Sequence, residues 1–209
     1  MTKSTIISTL PALRELYAPV NPRSALKELP QLDVHAKRFI SLSPFVLMSS
    51  YGADGQADTS PRGGEAGFVK VVDAGTLLIA DSPGNNRLDS LENIIATGQI
   101  GLLFMVPGVD ETLRVNGTAV LSTDEAERKL CEDRRRVPKL VIRISVHASY
   151  LHCAKALMRS DLWNPAKHIE RNQLPSMGEM LRDQMLGKLP DETVFETQEQ
   201  MLVRYQQTL

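Results

Sequence analysis

The chain has 209 residues, of which 42% are hydrophobic and 23% charged, and its formal net charge is −1. That length suits one domain with appendages, and the near-neutral charge excludes the strongly basic surface typical of nucleic-acid-binding proteins. The two cysteines have no C-x-x-C spacing, which excludes a disulfide scaffold, and the sequence has neither a signal-peptide pattern nor an apolar run of about 20 residues. We therefore expect a cytoplasmic protein that binds no nucleic acid and no membrane.

The first 42 residues predict a helical N-terminal extension. Apolar residues recur at helical spacing from Leu10 to Tyr17. Residues 19–30 hold three prolines and predict a connector, and a second amphipathic helix pattern follows over 32–40.

From residue 44 onward the pattern changes to short strands. The apolar run "PFVLMSSY" predicts a strand, and Asp54-Gly55 predicts the turn after it. In "QADTSPR", a polar strand candidate, Pro61 confines the strand to a sheet edge or a bulge. Residues 73–75 separate "GFVKVV" from "TLLIAD" and predict a hairpin, and residues 87–96 predict a helix.

The next segments predict three longer strands and a helix. "QIGLLFMV" predicts a buried strand, and "TLRVNGTAVL" alternates apolar and polar residues. "STDEAERKL" predicts a helix capped by Ser122 or Thr123. Strict alternation over 140–150 would place Tyr150 and Ala148 on one face and Ser149 on the other.

Six or seven strands joined by short turns predict a small, mainly antiparallel β-barrel with peripheral helices. The segment after Trp163 has a polar helical character to the end of the chain. We expect three parts: a helical extension over 1–42, the barrel over 43–165, and a helical tail over 166–209 that packs on the barrel or on a partner subunit.

The stretch "PGNNR", residues 83–87, places two amides and a cation at a predicted helix start. Unpaired backbone N–H groups and partial positive charge at such a start favour an anion such as phosphate. Asn86 could cap the helix and Arg87 could bind two phosphate oxygens. The alternative is an ordinary capped helix with a solvated arginine.

Two strand segments carry further candidate ligand-binding residues. In "TSPRGG", residues 59–64, hydroxyls and a guanidinium precede two glycines that would let a flat ligand approach the backbone. The alternative is an irregular edge strand. Thr112, Arg114 and Asn116 share one face of a strand, which either lines a ligand or faces solvent.

Residues 152–163, "HCAKALMRSDLW", predict a short cationic helix that ends at the only tryptophan of the chain. Lys155 and Arg159 are four residues apart and share a helix face, with His152 about one turn earlier. An indole beside cations suits a planar anionic ligand, whereas the alternative is a solvated face.

The sequence lacks the motifs of several common enzyme classes. It has no G-x-G-x-x-G, P-loop or G-x-S-x-G motif, and its four histidines have no metal-ligand spacing. No residue stands out as a general acid or base, so the catalytic residues are unknown at this point.

Taken together, "DGQADTSPRG", "GFVKVVDAGTLLIADSPGNNRLDSLENI", "GLLFMVPGVDETLRVNG" and "HCAKALMRSDLW" resemble the pyridoxamine 5'-phosphate oxidase-like flavoproteins over about residues 43–165. Within that superfamily they resemble the branch of FMN-dependent enzymes. The resemblance implies a six-stranded split barrel that forms a homodimer and holds FMN at the subunit interface.

The resemblance also implies a set of FMN-binding residues in this chain. The edge strand would lie along the flavin ring, the strand end at 79–81 would border it, and the helix start would hold the phosphate. A contact from the partner subunit maps to the strand of Thr112 and Arg114, and the C-terminal contacts of the family map to residues 152–163. The implied residues are Ser60, Pro61, Arg62, Gly63, Ile79, Ala80, Asp81, Asn86, Arg87, Thr112, Arg114, Lys155, Arg159 and Trp163.

The chain departs from the pyridoxamine phosphate oxidases themselves at two places. "DTSPRG" replaces their arginine-rich strand motif, and "DLWNPAK" replaces their tryptophan-arginine-leucine motif. The resemblance therefore implies an FMN-dependent oxidoreductase of unknown substrate rather than a vitamin B6 oxidase. The alternatives are a flavin-binding or sequestering module without turnover, a barrel with a deazaflavin cofactor, and an interaction domain without a cofactor. Haem is disfavoured because no histidine has a recognisable ligand context.

Overall fold

The computed structural model describes residues 6–133, 136–190 and 193–207. Within these ranges the chain forms seven strands and eight α-helices. The strands are β1 (Phe45–Tyr51), β2 (Ala57–Gly63), β3 (Lys70–Val71), β4 (Thr76–Ala80), β5 (Gln99–Met105), β6 (Thr112–Ser122) and β7 (Val141–His152). The helices are α1 (Leu10–Arg14), α2 (Pro22–Leu26), α3 (Val34–Leu42), α4 (Asp89–Thr97), α5 (Glu125–Leu130), α6 (Lys155–Ser160), α7 (Met177–Gln184) and α8 (Gln198–Gln206).

The strands form one antiparallel sheet in the order β2-β1-β5-β6-β7-β4-β3. This mainly β fold with peripheral helices confirms the predicted fold class. The sheet has seven strands rather than the six that the resemblance implied, because the two-residue β3 pairs with β4 in a hairpin. β2 lies at a sheet edge, as Pro61 predicted.

The core lies between one face of the sheet and the helices α3 and α4. Alternating residues of the central strands point inward, and each side chain buried in this way contributes roughly 1.5–3 kcal/mol. Fully or almost fully buried side chains include Ile40, Val46, Met48, Leu77, Ile79, Phe104, Leu113, Val115, Ile142 and Ile144. Because α3 adds Ala36 and Ile40 to this cluster, the helix before β1 packs directly on the barrel.

A β-bulge interrupts the pairing of the two longest strands. Asn116 pairs with Ala148 and Gly117 with Val146, so His147 is an extra residue on β7. The inward face of β7 therefore changes from even to odd residue numbers, and Ser149 is 1% exposed. The predicted continuous alternation over 140–150 is wrong at this point, because a one-residue insertion reverses the faces.

Helix ends differ from the sequence prediction in one case outside the site. α5 is capped by Asp124, whose Oδ1 accepts a hydrogen bond from the Glu127 N–H at 3.0 Å, rather than by Ser122 or Thr123. The Ser122 hydroxyl instead accepts from the Asp124 N–H. Among the helices in the described ranges, none has both the length and the apolar character to cross a membrane.

The tail helices α7 and α8 each begin with a capping box, formed by Ser176 with Glu179 and by Thr197 with Gln200. Gly178 lies against the backbone before α8, where a Cβ atom would be 2.3 Å from the Glu196 oxygen. The helical character predicted for this segment is confirmed, and its packing partner remains a prediction.

Candidate functional site

The edge strand β2 carries a polar inner face. Asp58, Ser60 and Arg62 pair in register with Ser50, Met48 and Val46 of β1, and paired residues share a face of the sheet. Met48 and Val46 are fully buried, whereas the three β2 side chains are half-buried. The edge of the barrel interior is therefore lined by a carboxylate, a hydroxyl and a guanidinium.

Hydrogen bonds attach this polar face to α4. The Ser90 hydroxyl, on a residue only 3% exposed, donates to Asp58 Oδ2 at 2.8 Å and lies 3.2 Å from Ser60 Oγ. Ser60 Oγ is itself 3.3 Å from Asp58 Oδ2. Asn93 Nδ2 donates to Ser50 Oγ at 3.1 Å. Sequence reasoning missed Asp58 and Ser90, although the alternation of Asp58, Ser60 and Arg62 in "ADTSPR" could have indicated one polar face.

Arg62 lies within electrostatic range of two carboxylates. Burial lowers the pKa of its guanidinium from its ordinary value, while Asp81 and Asp58 act in the opposite direction. An arginine with this balance remains cationic at neutral pH. β2 and β4 are far apart in the sheet order, so the proximity of Arg62 and Asp81 follows from the curvature of the sheet. Of the predicted site residues, the structure thus brings Ser60, Arg62 and Asp81 together.

The loop after β4 leads to a helix start that no side chain caps. α4 begins at Asp89, its N-cap is Leu88, and Leu88 and Asn86 both have left-handed backbones with φ of 61° and 59°. The prediction that Asn86 caps the helix is therefore wrong, because the helix begins at Asp89, two residues after its predicted start. The Asn85 amide oxygen instead accepts from the Arg87 N–H at 3.0 Å.

Arg87 forms an ion pair at this helix start. Its Nε lies 2.6 Å from Asp89 Oδ2, and the Arg87 side chain is 76% exposed. Within the described residues this ion pair uses only the Nε atom of the guanidinium, so both terminal nitrogens are available to a ligand. An uncapped helix start with an exposed arginine is a suitable environment for an anion.

The remaining predicted residues of β2 and β4 differ in accessibility. Pro61 and Gly63 are exposed on the outer face of β2. The Ile79 side chain is fully buried in the core, so only its backbone is available to a ligand. Ala80 is half-buried against a small cluster that includes Cys131.

A second group of predicted residues lies around the ends of β6 and β7. Thr112 is 7% exposed, and the Arg114 guanidinium carbon lies 5.4 Å from the centre of the Tyr150 ring. Lys155 and Arg159 are exposed on α6.

The Trp163 side chain is held by a backbone contact, and His152 belongs to β7 rather than to α6. The Trp163 Nε1–H donates to the Val109 oxygen at 3.0 Å. His152 ends β7 and does not extend the cationic face of α6, which corrects the predicted stripe.

Two strands separate Arg62 on β2 from Arg114 on β6 within one chain. β1 and β5 lie between β2 and β6, which corresponds to about 14 Å along the sheet. One chain thus presents one group around Arg62, Asp81 and Arg87 and another around Arg114 and Trp163. Within the described residues, no cluster of histidine, cysteine and carboxylate side chains could hold a metal ion.

Comparisons with known proteins agree with this architecture. The family model described as pyridoxamine 5'-phosphate oxidase matches residues 32–153, which is more than half of the chain. No curated protein sequence matches. HupZ from Group A Streptococcus is 22% identical, with a TM-score of 0.49, over 57% of this chain and 93% of that protein.

Two further solved structures are similar over comparable lengths. A Clostridium acetobutylicum protein related to general stress protein 26 is 11% identical, with a TM-score of 0.44, over 57% of this chain and 86% of its own. An FMN-binding protein from Syntrophomonas wolfei is 8% identical, with a TM-score of 0.42, over 69% of this chain and 97% of its own. These TM-scores are below 0.5, so the assignment rests on the sequence match. The chain belongs to the pyridoxamine 5'-phosphate oxidase family.

Proposed function

We propose that this protein is a homodimeric, FMN-dependent oxidoreductase that binds the FMN phosphate at the start of α4. The observation that carries the proposal is the uncapped N-terminus of α4 beside Arg87.

The helix start fits a phosphate group. The first N–H groups of a helix and its partial positive charge favour a phosphate, and a guanidinium can bind two phosphate oxygens at once. Arg87 would supply its terminal nitrogens, and Asn86 is exposed next to it. Asp89 reduces the positive charge of this environment, which makes the site weaker than one with an unpaired arginine.

The adjacent strands fit a flat ring. β2 is at a sheet edge, so the backbone groups of residues 60–63 that do not pair with β1 are accessible to a ligand, although the Pro61 oxygen accepts a hydrogen bond from Arg62 Nη1 at 2.8 Å. Arg62 would place positive charge next to the ring, with Ala80 and Asp81 beside it. Bound FMN would supply the redox chemistry, while the protein supplies position and charge.

A second copy of the chain would complete the site. The cations and the indole of the later segments, from Arg114 on β6 to Lys155, Arg159 and Trp163 after β7, would contact the ligand together with Thr112 across the dimer interface. This arrangement would also offset the carboxylates of Asp58, Asp81 and Asp89 near the phosphate. A protein that remains monomeric at micromolar concentration would contradict the interface site.

Arg87→Ala tests the phosphate contact. We expect it to weaken FMN binding by about 2 kcal/mol, which is roughly 30-fold in Kd, because a charge-assisted hydrogen bond is lost. Asp89→Asn should tighten binding, since it frees the guanidinium and removes a negative charge. Titration of the purified dimer with FMN measures both effects, and the exposed Arg182→Ala is the control.

Several outcomes would change the proposal. An unchanged Kd in Arg87→Ala would remove this residue from the site. Failure to retain flavin after desalting would refute FMN binding, and retention of a deazaflavin instead would change the cofactor. Bound FMN that NAD(P)H does not reduce, and that no reductant and acceptor pair turns over, would favour a sequestering module.

A further inference from the structure

A cleft of about 370 Å³ lies between α3 and the β3–β4 hairpin, away from the proposed flavin site. Its volume is within the range of small-molecule sites. The residues that line it are Lys37, Ser41, Gly67, Val69, Lys70, Val71, Val72 and Asp73.

The position of the cleft separates it from the helix start at α4. β3 is at the sheet edge opposite β2, and Asp73 lies in the turn that precedes β4. Asp81, next to the proposed flavin site, follows the other end of β4. None of the residues that line the cleft is among those proposed for FMN.

The walls of the cleft are mainly apolar. Val69 is 3% exposed and Val71 is half-buried against the core, whereas Val72 adds an exposed side chain to the lining. Gly67 has a φ of +80°, and a Cβ atom there would lie 3.2 Å from the Ser41 oxygen. Glycine at this position lets the segment before β3 approach the end of α3 and form one wall.

Two half-buried lysines give the cleft a positive charge. Lys70 Nζ donates to the Gly67 oxygen at 3.2 Å, and Lys37 lies within electrostatic range of Asp73. Within the described residues neither lysine has a carboxylate within 4.0 Å. The charged groups of the lining thus sum to one net positive charge.

We propose that this cleft binds a small monocarboxylate with an apolar body. The carboxylate would pair with the ammonium groups of Lys37 and Lys70, and the apolar part would lie against Val69, Val71 and Val72. The single negative charge of a carboxylate matches the single net positive charge of the lining. A phosphate monoester carries about −1.5 to −2 at neutral pH and would be incompletely neutralised.

Octanoate and octanamide form a matched pair of probes, because they differ in charge but hardly in shape. We expect octanoate to bind the full-length, FMN-saturated protein with a submillimolar Kd in isothermal titration calorimetry, and octanamide to bind at least about tenfold more weakly. Lys37→Gln and Lys70→Gln should each weaken octanoate by about tenfold. Lys188→Gln, in the exposed tail, should leave its affinity unchanged.

Amide chemical shifts identify where the probe binds. We expect octanoate to change the amide chemical shifts of residues 37–41 and 67–73. Urea unfolding of each variant verifies that the variant is folded. Equal affinity for octanamide, absence of binding at millimolar octanoate, or shifts confined to other residues would each overturn the proposal. Competition between octanoate and FMN would overturn it as well, since it would place the carboxylate in the flavin site.

Discussion

Ser90→Ala tests whether the hydrogen bonds between α4 and β2 stabilise the barrel edge. Ser90 is 3% exposed, and its hydroxyl donates to Asp58 Oδ2 at 2.8 Å. A hydrogen bond to a charged group contributes about 1.5–3 kcal/mol. In the variant, half-buried Asp58 would keep its hydrogen bond from the Ser60 hydroxyl. We therefore expect the free energy of unfolding to fall by an amount in the lower half of that range, about 1.5–2 kcal/mol. The corresponding decrease in Tm is about 3–8 °C for a chain of this size.

Urea unfolding followed by circular dichroism measures this loss at constant m-value. Ser160→Ala is the matched control, since this exposed serine donates to the Leu157 oxygen of its own helix and to no other group of the described residues. We expect the control to change the free energy of unfolding by less than about 0.5 kcal/mol. The double variant with Asp58→Asn should be non-additive. A loss below about 0.5 kcal/mol for Ser90→Ala, or additivity with Asp58→Asn, would refute the proposed connection between α4 and β2.

Other predictions concern the bulge and the two thiols. Gly117→Ala should lower the free energy of unfolding by at least about 2 kcal/mol, because its Cβ would lie 2.0 Å from the Ser145 oxygen. Gly84→Ala, with no atom within 4 Å of its Cβ, is the control, and equal stabilities would contradict the bulge geometry. A thiol reagent should label exposed Cys153 rapidly and buried Cys131 only on unfolding, and two rapid thiols would contradict this. Burial raises the pKa of the Cys131 thiol from 9.0 to about 11. The buried neutral thiol therefore contributes its full stabilisation below pH 9, and this contribution is lost as the pH rises to 11. Urea unfolding of wild type and Cys131→Ala across this pH range measures the sign of the effect.

The strands and turns could be predicted because their causes are local in the sequence. The turn at 73–75 and the apolar runs before and after it correspond to the observed hairpin. Pro61 identified an edge strand because proline lacks the N–H that a central strand would donate. The family also followed from the order of four motifs, which lie in or next to the strands described above.

The features that were missed depend on contacts distant in sequence or on single-residue register. Ser90 and Asp58 are 32 residues apart, so their hydrogen bond is visible only once α4 packs on β2. Asn86 is a favourable capping residue by type, but the left-handed backbone at Leu88 moves the helix start to Asp89. The FMN-binding roles, the three-part division of the chain and the dimer remain predictions.

The bulge at His147 also decides which face of β7 meets the N-terminal segment. If every residue of β7 paired in regular alternation, the two faces of the strand beyond Val146 would be exchanged. Ser149, which now donates its hydroxyl to the Gln31 oxygen, would then point outward, and Tyr150 would point into the core. The backbone pairing of Ser149 with Leu29 would lose the side-chain hydrogen bond that accompanies it. The one extra residue therefore lets β7 fill the core with even-numbered residues and hold the N-terminal segment with an odd-numbered one.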